Sequence, residues 1–222
     1  MKHGIIFDLD GTLLDTLPDI YASVNRMLRA LSYPERTLEH TLSGIGYGSR
    51  RLMEVSLPEG AGDETVDEAL DVYRGIYREN FSVDTKPYEG LLDVVRQLKS
   101  EGMALAVLSN KPDELTRALI DKWYAGIFDF VLGQGKYSVK PSPEAPRAVA
   151  KALEVAPESL IFIGDSDVDV MTAHGVGAAC VGVTWGYRPR EVLAGAGADM
   201  IAESPQELLA AIKEIHEGRE QK

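Results

Sequence analysis

Short apolar runs alternate with amphipathic segments along most of the chain. Uninterrupted apolar runs of this length are typical of parallel strands that are buried on both faces. We predict strands at 4–10, 103–110, 128–133, 159–165, 178–185 and 198–203. The segments between them carry apolar residues at the helical period, and we predict helices at 90–102, 111–123, 142–154 and 167–175. This alternation predicts an α/β fold with a doubly wound, parallel, Rossmann-like sheet.

One long region after the first strand interrupts the alternation. It contains no convincing strand, and its apolar residues follow the helical period at 18–33 and 63–80, with two short helices near 43–52. The pattern therefore predicts an all-helical domain inserted into the α/β core. The predicted domains are the catalytic core, 1–14 and 88–222, and the helical insertion, 15–87.

Composition narrows the class of partner. The chain has 222 residues and a formal charge of −12, from 35 acidic and 23 basic residues. This balance disfavours nucleic acid and anionic membranes as partners, because both favour basic surfaces. A single cysteine, Cys180, cannot form an intramolecular disulfide. With no expected signal peptide or spanning segment, we expect a cytoplasmic monomer or homodimer that acts on a small molecule.

Polar side chains follow the predicted strands. In open α/β sheets, ligands bind beyond the carboxyl ends of the strands, so these positions are candidate site residues. They are Asp8 and Asp10 after the first strand, Ser109, Asn110 and Lys111 after the second, Lys140 after the third, and Asp165 and Asp169 after the fourth. We interpret Asp167, which lies between the last two, as an acid at the start of a helix and nothing more.

The chemistry that suits this set is phosphoryl transfer. Asp8 and Asp10 share one side of an extended strand, and Asp165 approaches from another. A set of carboxylates without histidine or cysteine favours a hard cation, most simply Mg²⁺, which would also offset their mutual repulsion. Lys140 and the Ser109 hydroxyl could hold phosphoryl oxygens. One aspartate could then attack phosphorus while another moves the proton.

The segments "DLDGTLLDT", "LSNK", "VKPSPEAP" and "IGDSDVD" occur in this order. Together they resemble the four motifs of the haloacid dehalogenase superfamily, in its phosphatase branch, from residue 4 to about 186. The segments "PYEG" and "GVTWGYR" resemble the corresponding segments of the phosphoglycolate phosphatase-like group. The resemblance implies a Mg²⁺-dependent phosphatase with a small helical cap that closes over the active site.

The resemblance also implies roles for the candidates. Asp8 would be the nucleophile that forms an aspartyl-phosphate, and Asp10 the general acid/base and a magnesium ligand through its backbone carbonyl. Asp10 favours phosphate esters over carbon–halogen bonds, because dehalogenases of the superfamily lack an aspartate there. Ser109, with Asn110 beside it, would bind substrate. The remaining expectations are that Lys140 steadies the intermediate, Asp165 completes the metal site, and Asp169 supports the site without binding the metal.

The glycine-rich segment "GIGYGS" at 44–49 follows a helical segment rather than a strand, which excludes a dinucleotide fingerprint. We interpret it as a loop of the helical insertion, with Arg50 and Arg51 as candidates for binding a substrate anion. A solvated helix face is an equal alternative for both arginines.

Other functions remain open at this stage. A phosphosugar mutase or an inorganic pyrophosphatase of the same superfamily would use the same four motifs. From another class, an inactive binding module or phosphoaspartate receiver is disfavoured. A receiver would be about half this length, and an inactive module would be expected to lose Asp8, Asp10 or Lys140.

Overall fold

The computed structural model describes residues 4–220, so residues 1–3 and 221–222 of the predicted core lie outside the described residues. The chain divides into two compact units, Asp15–Lys86 and the chain on either side of it. The strands are β1 (Gly4–Phe7), β2 (Leu14–Asp15), β3 (Lys86–Pro87), β4 (Ala104–Pro112), β5 (Phe130–Gln134), β6 (Leu160–Gly164), β7 (Ala179–Val183) and β8 (Met200–Ala202). The helices are α1 (Leu17–Ala30), α2 (Leu38–Ser43), α3 (Ser49–Ser56), α4 (Asp63–Asn80), α5 (Leu91–Ser100), α6 (Asp113–Trp123), α7 (Glu144–Leu153), α8 (Asp167–His174), α9 (Arg190–Ala196) and α10 (Pro205–Glu220).

The α/β unit is built on a six-stranded parallel sheet in the order β5-β4-β1-β6-β7-β8. From β1 the chain proceeds outward through β4 to β5, and it then returns to β6 on the other side of β1. The strand order therefore reverses between β1 and β6. A reversal of this kind opens a crevice at the carboxyl ends of the two strands, where ligands bind in such sheets. The predicted fold class is confirmed.

Apolar side chains bury both faces of the sheet. On one face, Ile6 and Phe162 belong to a buried cluster with Val149 of α7, Val170 of α8 and Leu193 of α9. Right-handed crossovers place α5 and α6 on the opposite face. On that face the ring of Phe7 lies 6.0 Å from the ring of Phe128, which lies 5.8 Å from Tyr124. Layers on both faces bury β1 in the middle of the sheet.

The helical unit contains α1 to α4, and α1 packs along α4. Tyr73 and Tyr77 of α4 stack with ring centroids 5.3 Å apart. At the start of α1, the buried carboxylate of Asp19 accepts hydrogen bonds from the backbone of Val83 (3.0 Å) and Thr85 (2.9 Å), and from the Thr85 hydroxyl (2.7 Å). Asp19 thereby ties the first helix of the unit to its last segment.

Several elements differ from the sequence-based predictions. β1 ends at Phe7, because the chain turns after Asp8: the carbonyl of Leu9 accepts from the backbone amides of Leu13 and Leu14, and Gly11 has a φ of 85°. β4 continues to Pro112 through a register shift, so α6 starts two residues later than predicted. The short strands β2 and β3 and the helices α9 and α10 lie outside the predicted set.

Residues 4–220 contain no helix that combines the length and apolar character needed to cross a membrane.

Candidate active site

The two central strands bring two aspartates together at their carboxyl ends. Phe7 of β1 pairs with Ile163 of β6, and the backbone amide of Asp8 donates to the Ile163 carbonyl at 2.9 Å. Asp8 follows Phe7 directly, and Asp165 follows Ile163 after one residue, Gly164. Together with Asp169 they form a buried cluster whose carboxylate oxygens lie within 4.8 Å of one another. The cluster lies at the reversal in strand order.

Lys140 provides a positive charge inside this cluster. Its Nζ lies 2.7 Å from Asp8 Oδ1 and 2.7 Å from Asp169 Oδ1, and its side chain is almost fully buried. Burial alone would lower the pKa of Lys140, but the charges of Asp169 and Asp8 reverse this effect and hold the pKa above its ordinary value. Lys140 is therefore a permanently charged contact of the Asp8 carboxylate.

Lys140 does not fully offset the carboxylates around it. Burial raises the pKa of Asp8 well above its ordinary value; Lys140 opposes this rise, while Asp169 and Asp165 add to it. Burial, reinforced by Asp169, also raises the pKa of Asp165 to about 7. Raised pKa values of this kind mark a place where further positive charge would be stabilised.

Asp165 is held from several sides. Its Oδ1 accepts from the Thr12 hydroxyl at 3.2 Å and its Oδ2 from the Tyr187 backbone amide at 2.7 Å. Gly11 and Gly186 pack so closely that a Cβ atom at either position would overlap the Asp165 side chain. The orientation of the carboxylate is thus fixed by the turn after β1 and by the loop after β7.

Asp169 has both carboxylate oxygens bonded within the protein. Oδ1 contacts Lys140, and Oδ2 accepts from the backbone amide (3.1 Å) and hydroxyl (2.6 Å) of Ser166. Ser166 and Asp169 form a capping box at the start of α8, which sets the position of this carboxylate. In this arrangement Asp169 orients Lys140.

The end of β4 carries three consecutive buried polar residues that have different partners. The Ser109 hydroxyl accepts from the backbone amide of Lys111 at 3.2 Å. The Asn110 side chain accepts from the Lys140 amide at 2.7 Å and donates to the Lys140 carbonyl at 3.2 Å. Lys111 Nζ donates to Asp10 Oδ1 at 2.8 Å. Lys111 is a residue of the site to which the sequence pattern assigned no role, although a lysine directly after a buried strand was a visible signal.

Arg50 and Arg51 lie at the start of α3, in the helical unit, and both are exposed. Arg50 forms ion pairs with Asp63 at 2.7 Å and Asp67 at 2.5 Å, and Arg51 pairs with Glu54 at 3.2 Å. Both guanidinium groups are therefore engaged with acidic side chains of their own unit.

The acidic cluster fits a divalent cation. Its donors are carboxylate oxygens only, which is the ligand set that hard cations prefer. Asp8 and Asp165 lie close enough to share one ion, and burial together with the neighbouring carboxylates raises the pKa of both carboxyls, an effect that a bound cation would oppose. The residues present are thus those that could hold the metal.

The fold and the site together define an α/β protein with an acidic, lysine-containing centre at the carboxyl ends of the central strands of a parallel sheet. A family model described as haloacid dehalogenase-like hydrolase matches residues 5–183. The chain belongs to this family. The predicted superfamily membership and the predicted class of enzyme, a phosphoric monoester hydrolase, are confirmed.

Individual relatives cover most of the chain. A phosphoglycolate phosphatase from Aquifex aeolicus is 35% identical over 185 residues, which are 82% of this chain and 85% of that one. Phosphoglycolate phosphatase 1 from Pseudomonas aeruginosa is 32% identical over 212 residues, 92% and 78% of the two chains. The crystal structure of a protein from Lactobacillus delbrueckii subsp. bulgaricus superposes on this chain with a TM-score of 0.90 at 29% sequence identity. The match covers 96% of this chain and 99% of that one.

Proposed function

We propose that the protein is a Mg²⁺-dependent phosphatase that hydrolyses a small phosphate monoester of the phosphoglycolate type through an aspartyl-phosphate on Asp8. The observation that carries the proposal is the position of Lys140, whose ammonium contacts Asp8 and Asp169 at 2.7 Å each inside a buried acidic cluster. A lysine there can hold a phosphoryl oxygen while the neighbouring aspartate bonds to phosphorus.

The reaction assigns one task to each residue. Asp8 attacks phosphorus, and the ester oxygen leaves with a proton from Asp10. Asp10, now a carboxylate, takes a proton from the water that attacks the phosphorus atom of the Asp8 phosphate. Lys140 and the Ser109 hydroxyl bind the phosphoryl oxygens as the charge on them changes.

A Mg²⁺ ion would be held by the carboxylates of Asp8 and Asp165 and by the backbone carbonyl of Asp10. When bound, it would neutralise the acidic cluster and polarise a phosphoryl oxygen. Thr12 and Tyr187 keep Asp165 oriented for this purpose.

The relatives support a choice of substrate class. Proteins named phosphoglycolate phosphatase, at 32–35% identity, support a two-carbon phosphate ester as the first substrate to test. The single cysteine, which cannot form an intramolecular disulfide, supports a cytoplasmic enzyme, and a monomer or homodimer is part of the same proposal.

Phosphate release tests the proposal. Wild-type protein with Mg²⁺ should release phosphate from 2-phosphoglycolate and from other members of a panel of small esters. Every equivalent of ester consumed should appear as free phosphate, whereas a mutase would retain the phosphoryl group. Inorganic pyrophosphate belongs in the same panel.

Substitution of the nucleophile tests the covalent step. We expect Asp8→Asn to lower turnover at least about 1,000-fold, because an amide is a poor nucleophile and the covalent route is lost. Asp167→Asn is a matched control in the same unit and should retain activity. If a clean preparation of Asp8→Asn kept more than a few per cent of wild-type activity, Asp8 would not be the nucleophile.

A further inference from the structure

A second buried lysine lies beside the acidic site. The side chain of Lys111 is 3% exposed, and its Nζ lies 2.8 Å from Oδ1 of Asp10, whose side chain is 15% exposed. Removing an ammonium group from water is costly unless a carboxylate compensates for the loss. Asp10 supplies that charge when it is ionised, and Oδ1 still accepts from the ammonium when the other carboxyl oxygen carries a proton, so the two side chains fix each other's positions.

The backbone of Lys111 is also held in place. Its amide donates to the Ser109 hydroxyl at 3.2 Å, and its carbonyl accepts from the Thr116 hydroxyl at 3.2 Å. Gly133 of β5 packs against the same carbonyl so tightly that a Cβ atom would lie 2.7 Å from it. The lysine therefore extends from a rigid segment of β4, and its ammonium has a defined position.

The two buried lysines contact different aspartates. Lys140 contacts Asp8 and Asp169, whereas Lys111 contacts Asp10. The tight turn after β1 fixes the backbone of Asp10, but a backbone turn does not fix the side-chain torsions of an aspartate. Lys111 supplies that restraint from a different strand.

We propose that Lys111 is a positioning residue for Asp10: its ammonium holds the Asp10 carboxyl group where it exchanges a proton with the leaving oxygen and then with water. The inference rests on the proposed function, in which Asp10 is the acid/base. A proton donor that is misplaced by about 1 Å loses much of its effect, although the chemistry at phosphorus is unchanged. Lys111 should therefore matter most where the leaving group needs a proton.

The test compares two leaving groups. Lys111→Met should lower kcat for 2-phosphoglycolate, which has a poor alkoxide leaving group, by about 10-fold or more. With p-nitrophenyl phosphate, whose leaving group departs without a proton, the loss should be less than about 3-fold. KM should change little for either ester. Lys111→Arg, which keeps the charge, should recover part of the lost kcat.

A matched control is available at the other end of β4. Lys99 pairs with Asp129 at 2.5 Å in an exposed ion pair. Lys99→Met makes the same substitution and also breaks a lysine–aspartate pair. Because Asp129 binds the backbone of Leu105 at the amino end of β4, away from the acidic cluster, this variant should leave both kcat values unchanged. Thermal melting of each variant shows whether the protein remains folded, and Lys111→Gln replaces Lys111→Met if the latter does not fold.

A double-mutant cycle identifies the partner through which Lys111 acts. If Lys111 works through Asp10, Lys111→Met should cost nothing further in an Asp10→Asn background. Equal losses with both esters, a rise in KM alone, or additive losses in the double variant would each overturn the positioning role. Failure of the proposed function would look different, because wild-type protein would then release no phosphate from either ester.

Discussion

At the scale of single residues, the site depends on ion pairs that are removed from water. Surface pairs such as Arg190 with Glu203, both more than half exposed, contribute little to stability because water screens them. The contacts of Lys140 with Asp8 and Asp169 are buried, so loss of one partner leaves an uncompensated charge. Substitutions at these positions therefore affect folding as well as catalysis, and their tests need a stability measurement.

Asn110 offers a test of how Lys140 is held. Asn110→Ala removes two hydrogen bonds to the Lys140 backbone. Each loss leaves a buried backbone group unsatisfied, which lowers the free energy of unfolding by about 1–3 kcal/mol. We expect a lower melting temperature and a kcat reduced about 10-fold or more, since Lys140 loses its fixed position. Steady-state kinetics and thermal melting measure both effects.

Asn80→Ala is the matched control, because the Asn80 side chain bonds to Arg26 and to the Ile76 carbonyl within the helical unit. It should leave kcat unchanged. If Asn110→Ala raised KM while kcat and melting temperature stayed the same, Asn110 would bind substrate, as the sequence pattern suggested, rather than support Lys140.

The sequence located the site residues but not their partners. The strands are visible as apolar runs, and the polar residues that end each run mark the strand ends. Asp8, Ser109 and Asp165 could therefore be assigned to the carboxyl ends of the sheet. The partner of Asn110 depends on where the loop after β5 returns, and the partner of Lys111 depends on the register shift in β4. Neither is encoded in local periodicity. The catalytic and binding roles themselves stay predictions.

At the scale of elements, predictions were accurate where local signals were strong. The six strands of the main sheet and helices α5 to α8 were all recognised. The short strands β2 and β3 have two residues each, and their pairing is not local. Helix α9 has seven residues, of which only Leu193 is buried, so it carries almost no apolar period. Such elements are defined by tertiary packing rather than by pattern.

The Asp19 clamp is a testable feature of the helical unit. Asp19→Ala removes the acceptor for the backbone amides of Val83, Asp84 and Thr85 and for the Thr85 hydroxyl. We expect the free energy of unfolding to fall by about 2–4 kcal/mol, because the buried amide and hydroxyl of Thr85 lose a charged acceptor, as do the more exposed amides of Val83 and Asp84. Denaturant unfolding followed by circular dichroism would measure the loss.

Asp71→Ala is the control for this experiment, since Asp71 on α4 is 82% exposed and its contact with Arg74 is long, at 3.8 Å. It should change the free energy of unfolding by less than about 0.5 kcal/mol. A comparable change in both variants would mean that the Asp19 hydrogen bonds contribute no more than a surface acid.

At the scale of the whole molecule, folding concentrates negative charge in one place. The chain carries a formal charge of −12, and the sheet gathers Asp8, Asp165 and Asp169 into a buried cluster. The net charge gave no hint of this cluster, whereas the pairing of β1 with β6 brings Asp8 and Asp165 together and the capping box of α8 adds Asp169. The stability of the protein should consequently depend on pH and on divalent cations.

The direction of the pH effect follows from Asp165. Its pKa of about 7 in the folded protein lies above the ordinary value of an aspartate, about 4. At pH values between these two, the folded state binds more protons than the unfolded state. Stability of the metal-free protein should therefore fall as pH rises from about 4 to about 7. The raised pKa of Asp8 acts in the same direction.

Mg²⁺ should reverse this loss, because a cation binds the ionised carboxylates and stabilises the folded state by mass action. We expect the melting temperature of the protein to be higher in Mg²⁺ than in EDTA, and this difference to be larger at pH 8 than at pH 5.5. We also expect EDTA to abolish phosphate release until Mg²⁺ is restored. Ca²⁺ should support activity poorly, since it prefers more ligands at longer distances. In Asp165→Asn the effect of Mg²⁺ on melting should largely disappear. Full activity after thorough chelation, or a Mg²⁺ effect that is the same at both pH values, would contradict a metal site at these carboxylates.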